Sequence, residues 1–145
     1  MNWRTWWQRW RARWNPPARA PHLERGRLGE HAARRHLVGL GLKFLTANFR
    51  TRRGEIDLVF RDGACLVFVE VKTRSSEDWN RPAAAVDAGK RRRLTRAALD
   101  YLARIKQPSV PVRFDIVEVL LEDERVCEVR HLPNSFPFAP PYRYG

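Results

Sequence analysis

Asp57, Glu70 and Lys72 have the types and spacing that could assemble a metal-dependent hydrolytic site. Each lies in or at the end of a strand-like run, and one residue separates Glu70 from Lys72. Carboxylate oxygens are hard ligands that suit Mg²⁺ or Mn²⁺, and such an ion can activate water and neutralise charge on a phosphate. A lysine two residues after a ligand would lie beside the ion. There it could stabilise the developing charge or help to deprotonate the attacking water.

A β-hairpin is the element that would position these side chains. Asp62-Gly63 predicts a two-residue type I′ turn, because both residues tolerate positive φ angles. The pairs expected to face each other in that register are Arg61 with Ala64, Asp57 with Phe68, and Glu55 with Glu70. Residues two apart on a strand share a face, so Asp57 and Glu70 would be diagonal neighbours, roughly 7–8 Å apart at Cα. One divalent cation could bridge that gap, with Glu55 and Lys72 on the same face.

The strand that ends in Glu70 has a simpler alternative interpretation, a solvated edge with a cross-strand ion pair. Residues 66–69 are apolar at both parities, however, which is typical of a strand covered on both faces. Ionisable groups at the end of such a strand are costly to bury, and groups placed in that way often mark a functional site. We therefore interpret Asp57, Glu70 and Lys72 as a candidate site.

Composition indicates a polyanionic partner. The chain has 145 residues, enough for one domain with a substantial core, and its formal net charge is +12. That charge favours nucleic acid or an anionic membrane surface as the partner. Beside the acidic residues it favours a phosphodiester backbone as the substrate. No other catalytic set competes, since the histidines lack zinc spacing and the chain has neither a phosphate-binding glycine loop nor a nucleophile-elbow serine.

Localisation signals predict a cytoplasmic protein. No apolar run approaches the roughly 18–20 residues that span a bilayer, and the start of the chain lacks the apolar core of a signal peptide. Cys65 and Cys127 lie in strand-like apolar runs, so we expect buried free thiols rather than a disulfide or a metal pair.

Residues 1–22 differ from the rest of the chain. They hold five of the six tryptophans and five arginines, without an acidic residue. Trp3, Trp7, Trp10 and Trp14 have helical spacing, and Asn15-Pro16-Pro17 ends the pattern. A basic amphipathic helix is typical of an arm that contacts a membrane surface or nucleic acid. A disordered extension, or a helix docked on its own domain, is an equal alternative.

The remaining residues predict a mixed sheet with helices on both faces, because the central strand looks buried on both sides. The expected elements are a helix from Gly26 to about Leu40, a strand from Lys43 to Phe49, the hairpin, a polar loop from Thr73 to Pro82, a helix from Ala83 to Ile105, a strand from Val112 to Leu121 and, after a turn at 122–124, a strand from Val126 to Leu132. Glu30 falls on the inward face of the first helix, and Lys90 is in line with the apolar stripe of the second.

These residues resemble the PD-(D/E)xK nuclease superfamily. Asp57, twelve intervening residues and then Glu70-Val71-Lys72 follow a helix that carries Glu30. The sequence is more closely similar to the YraN-like family of uncharacterised, endonuclease-like bacterial proteins. The resembling segments are residues 26–33, 48–58, 67–74, 90–94 and 113–115. Two features depart from the family pattern, the Trp/Arg-rich extension and Asn80, which stands where a glycine is expected before Pro82.

The resemblance implies a restriction-endonuclease-like αβββαβ core, akin to Holliday-junction resolvases, in the α/β class with a mixed sheet flanked by helices. It implies Glu30, Asp57 and Glu70 as metal ligands for Mg²⁺ or Mn²⁺, Lys72 as the catalytic lysine and Lys90 as an auxiliary basic residue near the phosphate. We divide the chain into an extension (1–22), a nuclease-like domain (23–133) and an irregular Pro/aromatic tail (134–145). The side chains expected to contact nucleic acid are Arg50, Arg52, Arg53, Arg74, Arg91, Arg92 and Arg93.

Three hypotheses follow from these observations. The first is a metal-dependent DNA endonuclease, with branched or damaged DNA as candidate substrates and a homodimer as a candidate arrangement for cutting two strands. The second is a non-catalytic nucleic-acid-binding protein that carries an idle nuclease-like site. The third, which rests on residues 1–22 alone, is an adaptor bound to a membrane surface.

Overall fold

Five strands form a single mixed sheet whose spatial order, β1-β2-β3-β4-β5, is the order of the chain. The computed structural model describes residues 20–80, 86–106 and 109–142. The elements are α1 (Pro21–Gly39), β1 (Lys43–Arg50), β2 (Glu55–Asp62), β3 (Cys65–Arg74), α2 (Ser76–Trp79), α3 (Ala88–Ile105), β4 (Val112–Glu122) and β5 (Arg125–Phe136). Only β3 and β4 are parallel, and helices α2 and α3 lie in the crossover between them. The expected αβββαβ core and α/β class are confirmed, with β5 added as an antiparallel edge strand.

Strand β3 is covered on both faces, as its composition predicts. Phe68 packs edge-on against Tyr101 of α3, with ring centroids 5.6 Å apart. Val67 and Val69 belong instead to a second apolar cluster with Leu37 of α1. The sheet therefore has an α3 face and an α1 face, and each alternate residue of β3 is committed to one of them.

Close packing fixes helix α1 against the sheet. A Cβ atom built on Gly29 would lie 2.3 Å from Thr73 Cγ2, so only glycine lets the helix approach β3 this closely. Ala33 and Leu37 follow at helical spacing and are fully buried. Glu30 shares this turn of the helix, which brings it to the sheet as expected.

Element boundaries differ from the sequence prediction where caps and strand ends decide them. Helix α1 begins earlier than expected, at Pro21, because proline is favoured in a first helical turn. Helix α3 begins at Ala88, since Asp87 caps it by accepting the Lys90 N–H at 2.8 Å; residues 83–85 of the predicted helix lie outside the described residues. The predicted loop is partly ordered as the end of β3 and as α2.

The end of the chain is more regular than expected. Strand β5 continues past Pro133 to Phe136, whose ring stacks on Phe114 at 4.8 Å. Both cysteines are free thiols, but Cys65 is only half-buried and Cys127, on the edge strand, is exposed. The expectation of two buried thiols was wrong, because the sequence does not show that β5 is an edge strand.

The Trp/Arg-rich arm lies outside the described residues except for its last three positions, so its predicted helix and contacts stay predictions. Among the helices of residues 20–80, 86–106 and 109–142, none has the length and apolar character needed to cross a membrane.

Candidate active site

The turn of the β2–β3 hairpin lies one position later than predicted, which changes the pairing of the two strands by two residues. Asp62 pairs with Cys65 and Val59 pairs with Phe68, so the loop residues are Gly63 and Ala64. Gly63 has a φ angle of +58°, as the first loop position of a type II′ turn requires. A register shift of two residues keeps the side chains of the paired segments, residues 58–62 and 65–69, on their predicted faces.

The corrected register brings the two acids closer than expected. The last β2–β3 pair is Leu58 with Val69, so Asp57 lies one step beyond it, across from Glu70 rather than diagonal to it. The expected pairs of Asp57 with Phe68 and of Glu55 with Glu70 were wrong. Regular pairing stops at this point, and the acids stand where the two strands part.

Asp57 occupies a break in the alternation of β2. Ile56 packs in the α3-face cluster and Leu58 packs in the α1-face cluster, although residues two apart should share a face. The Asp57 carboxylate turns toward β3, where Oδ2 accepts the Val71 backbone N–H at 2.8 Å. The carboxylate oxygen thus replaces the backbone carbonyl that would accept this N–H in a regular sheet. Asn48 on the neighbouring strand β1 has a φ angle of +52°, which marks the same irregularity on the other side.

Burial and the charge of its acidic neighbour perturb Asp57. Burial raises the pKa of Asp57 to about 8, the nearby Glu70 charge adds to the rise, and the Val71 N–H opposes it. Glu70 is 8% exposed. Its Oε1 lies 2.7 Å from Lys90 Nζ on α3. Burial lowers the pKa of Lys90, but the hydrogen bond and charge of Glu70 outweigh that effect, so the Lys90 pKa is raised overall.

Glu30 approaches the same acids from α1. Burial raises its pKa, a hydrogen bond with Asn48 opposes the rise, and the charges of Glu55 and Glu70 add to it. The gap between β2 and β3 is therefore reached by Glu30 from one helix and by Lys90 from the other. Sequence reasoning missed Asn48, since its role depends on a strand irregularity that local composition does not indicate.

Lys72 lies on the α3 face, because it follows Phe68 and Glu70 at alternate positions of β3. In the parallel β3–β4 register its partner is Glu118, which is fully buried. Arg74 Nη1 lies 2.5 Å from Glu118 Oε2. Glu118 Oε1 has no hydrogen-bond partner within the described residues.

Glu118 is an acid of this face that sequence reasoning missed. The available signal was the one used for Glu70, an acidic residue inside a strand that is apolar at both parities, here residues 116–121. The structure also gives Arg74 a buried partner, so its predicted contact with nucleic acid would require that ion pair to open.

The donor set fits a divalent cation held by two carboxylates. In the part of the chain that the structure describes, no three histidine, cysteine, aspartate or glutamate side chains are clustered as a ready-made metal site. Mg²⁺ usually takes only one or two protein carboxylates and completes its shell with water and substrate phosphate. Asp57 and Glu70 supply that pair, and a cation would neutralise the charge that remains beside the Lys90–Glu70 ion pair. The role of Glu30 as a third ligand stays a prediction.

The predicted nucleic-acid contacts separate into different places. Arg50, Arg52, Arg53 and Arg93 line one cleft together with Lys90. The other three predicted residues lie elsewhere: Arg91 donates from Nε to Val86 O at 2.9 Å, Arg92 lines a cavity with Phe138, and Arg74 pairs with Glu118.

The Arg113-Phe114-Asp115 segment forms a separate cluster at a bulge between β4 and β5. Asp115 is fully buried. Its carboxylate accepts from Arg113 Nε at 3.0 Å and from the Asn134 N–H at 2.9 Å, and His131 Nε2 lies 2.7 Å from it. This segment contributes to the packing of the sheet, and none of its side chains contacts the acid pair.

Comparison with known sequences places the site inside a recognised family segment. The model for "Uncharacterised protein family UPF0102" matches residues 29–119. A UPF0102 protein of Alkalilimnicola ehrlichii is 46% identical over 117 residues, which are 80% of this chain and 91% of the relative. One from Symbiobacterium thermophilum is 45% identical over 111 residues, 77% and 94% of the two chains. One from Solibacter usitatus is 52% identical over 99 residues, 67% and 75% of the two chains.

Proposed function

The chain belongs to the UPF0102, or YraN, family, and from its site we propose that it is a metal-dependent endonuclease that hydrolyses phosphodiester bonds in DNA. The observation that carries the proposal is the meeting of Asp57 and Glu70 where β2 and β3 part, with lysines beside them. Burial and the Glu70 charge raise the pKa of Asp57 to about 8, even though Lys90 pairs with Glu70. A structural carboxylate is normally given its partners by the fold.

Each residue of the site has a role that follows from its position. Asp57 and Glu70 would hold Mg²⁺ or Mn²⁺, with Glu30 contributing from α1. When bound, the ion would supply an activated water and neutralise charge on the phosphate. Asp57, held in place by the Val71 N–H, must give up its proton before it can act as a ligand.

The two lysines differ in what they touch. Lys90 Nζ already contacts Glu70 Oε1, so it balances the acid while the site is empty of substrate and is positioned to contact a phosphate instead. Lys72 extends from the same strand face as Glu70. From there it would orient or deprotonate the attacking water, or stabilise charge on the phosphate.

A second candidate function is supported by a specific observation. Glu70 is already paired with Lys90, and among the described residues no three potential ligand side chains come together as a ready-made metal site. Both facts favour a site that is idle in a protein which only binds nucleic acid. Binding without turnover is therefore the outcome to be distinguished from hydrolysis.

The test compares cleavage by the parent and by isosteric or truncating variants. Labelled single-stranded, duplex, flap and four-way-junction DNA is incubated with the protein and Mg²⁺ or Mn²⁺. We expect Lys72→Ala and Glu70→Gln to lower the cleavage rate by at least about 100-fold, the usual effect of losing a positioned acid–base group. Lys43→Ala is the matched control, because Lys43 is exposed and lies at the end of β1 that pairs with Arg61, away from Asp57.

The outcome separates the two functions. Cleavage by the parent and by Lys43→Ala, but not by Lys72→Ala, supports the endonuclease and identifies its substrate. Salt-sensitive binding that is equal in all the proteins, with no cleavage by any of them, rejects the endonuclease in favour of the binding protein.

A further inference from the structure

A cleft of about 420 Å³ lies between the β1–β2 loop and the first half of α3. We call it the basic cleft. Its lining residues are Arg50, Thr51, Arg52, Arg53, Gly54, Glu55, Lys90, Arg93 and Leu94. Lys90 is also the partner of Glu70, so one wall of the basic cleft continues directly into the candidate active site.

The loop side of the basic cleft is held in a fixed conformation. The Thr51 hydroxyl accepts the N–H groups of Arg53 and Gly54 at 3.1 and 3.2 Å. The Thr51 N–H donates to Gly54 O at 2.9 Å. Arg53 is joined to Asp100 of α3 by an ion pair. A Cβ on Gly54 would lie 2.3 Å from the Arg93 carbonyl oxygen, so the loop lies directly on the helix backbone.

The positive charge of the basic cleft is only partly balanced. Arg50 pairs with Glu55 and Arg53 with Asp100. Arg52 and Arg93 are exposed, and neither makes a side-chain hydrogen bond or ion pair with any residue that the structure describes. Two exposed guanidinium groups without an ion pair among the described residues therefore lie in the cleft that Lys90 joins to Glu70.

On the other side of Glu70 the arginines already have partners. Arg74 is paired with Glu118 inside the protein. Arg130 lies over the Trp79 ring, 4.2 Å from its centroid. Among these four arginines, only Arg52 and Arg93 of the basic cleft have no partner in the described residues, which makes the basic cleft the side available to an anionic ligand.

We propose that the basic cleft is a phosphate-binding subsite for one unpaired DNA strand, and that Arg52 and Arg93 bind the backbone next to the bond to be cut. The volume falls near the lower end of the roughly 300–1,000 Å³ typical of small-ligand pockets, which is enough for one nucleotide of a strand. This inference rests on the proposed function in naming the strand as the substrate. Preferred substrates then carry a single-stranded extension rather than a blunt end.

Binding measured without turnover tests the basic cleft directly. The probe is a labelled single-stranded DNA of about ten nucleotides, with EDTA present, followed by fluorescence anisotropy over a range of salt concentrations. For Arg52→Ala/Arg93→Ala we expect at least a tenfold loss of affinity. The slope of log affinity against log salt should fall by about 1.4, since each contact to a single strand contributes about 0.7.

The matched control removes the same charge elsewhere. Lys43 and Arg61 are exposed and face each other across β1 and β2, far from the basic cleft. Lys43→Ala/Arg61→Ala should keep the parental affinity for the single strand. Arg52→Lys/Arg93→Lys should recover most of the lost affinity, because the contact is to phosphate charge. Equal loss in the two double-alanine variants would overturn the subsite, and so would unchanged binding by Arg52→Ala/Arg93→Ala.

The endonuclease and the subsite can fail separately. If no DNA is cut but single-strand binding depends on Arg52 and Arg93, the subsite stands and the endonuclease falls. If DNA is cut but Arg52→Ala/Arg93→Ala has the parental KM on substrates with single-stranded extensions, the subsite falls and the endonuclease stands.

Discussion

The acid pair and the Asp115 cluster both bury carboxylates on the same sheet, but the carboxylates differ in how many hydrogen-bond donors surround them. Asp115 is surrounded by donors: the Arg113 guanidinium, the Asn134 N–H and the His131 ring. Asp57 has one backbone donor and an acidic neighbour. Asp115 is fully buried and Asp57 is half-buried, but burial alone does not separate a structural acid from a site. The number of partners does.

That difference assigns the two regions different roles. Removing one partner of a fully partnered buried acid destabilises the fold, because an uncompensated group is left buried. A buried acid pair without enough partners destabilises the fold until a cation or proton arrives, and such arrangements are found at functional sites. Glu118 is intermediate, because one carboxylate oxygen meets Arg74 and the other has no partner in the described part of the chain.

The largest expected effect is on stability at Asp115. Asp115→Asn removes the charge that Arg113 and His131 share and leaves the guanidinium only half-compensated, by Asp62. Breaking a buried pair by removing one partner typically costs about 3–5 kcal/mol of unfolding free energy. Urea denaturation followed by circular dichroism measures this loss. Asp123→Asn, at an exposed turn position with a positive φ angle, is the control and should change stability by less than about 0.5 kcal/mol.

A small loss at Asp115, comparable with that of Asp123→Asn, would contradict the comparison. It would mean that the donors around Asp115 find other partners or water once the charge is gone, and that partner number does not separate a structural acid from a site.

The next effect has the opposite sign and depends on pH. Burial and the Glu70 charge raise the pKa of Asp57 to about 8, above its value in the unfolded chain. Between about pH 4 and pH 8 the folded protein therefore holds a proton that the unfolded chain has released, and stability falls as the pH rises through this range. Asp57→Asn keeps an oxygen for the Val71 N–H and carries no charge. We expect this variant to match the parent near pH 4 and to exceed it at pH 9 by about 2 kcal/mol or more.

Denaturation in EDTA at several pH values measures this difference. Asp123→Asn controls for the loss of an exposed aspartate outside the acid pair and should follow the parental pH profile. If the difference in unfolding free energy between Asp57→Asn and the parent is constant from pH 4 to pH 9, the pKa of the Asp57 carboxyl is not raised in the folded protein.

The comparison also explains what could be read from the sequence. The acids and lysines were identified because Asp57, Glu70 and Lys72 interrupt runs whose periodicity is a local property. The α/β class followed from the same runs, since a strand apolar at both parities must be covered on both faces. The predicted faces of the paired residues were correct although the predicted turn was wrong, because a register shift of two residues leaves each side chain on the same face.

Other features depend on tertiary partners and could not be predicted. Gly63 can occupy either position of a two-residue turn, so the glycine alone did not fix the register. The arginines looked equivalent in sequence, yet Arg74 has a buried partner and Arg52 has none among the described residues. The position of each acidic residue relative to these arginines is set by strand order and helix docking, which no local pattern contains.

The smallest expected effect is produced by the cation itself. Mg²⁺ should raise the unfolding free energy of the parent, because a ligand that binds only the folded state stabilises it by RT ln(1 + [L]/Kd). For about 10 mM ion and a dissociation constant of about 1 mM, the gain is about 1.4 kcal/mol. Asp57→Asn and Glu70→Gln should show no gain, whereas Asp123→Asn should gain as much as the parent. Thermal unfolding at increasing Mg²⁺ concentration measures this effect.

Lys90 makes the same titration more discriminating. Its Nζ occupies a Glu70 oxygen that the cation would use, so Lys90→Met should bind Mg²⁺ more tightly than the parent and show the larger gain. Equal gains in the parent and Glu70→Gln would mean that the ion binds elsewhere. The acid pair would then be under-compensated for a reason other than cation binding, and partner number would lose its value as a guide to the site.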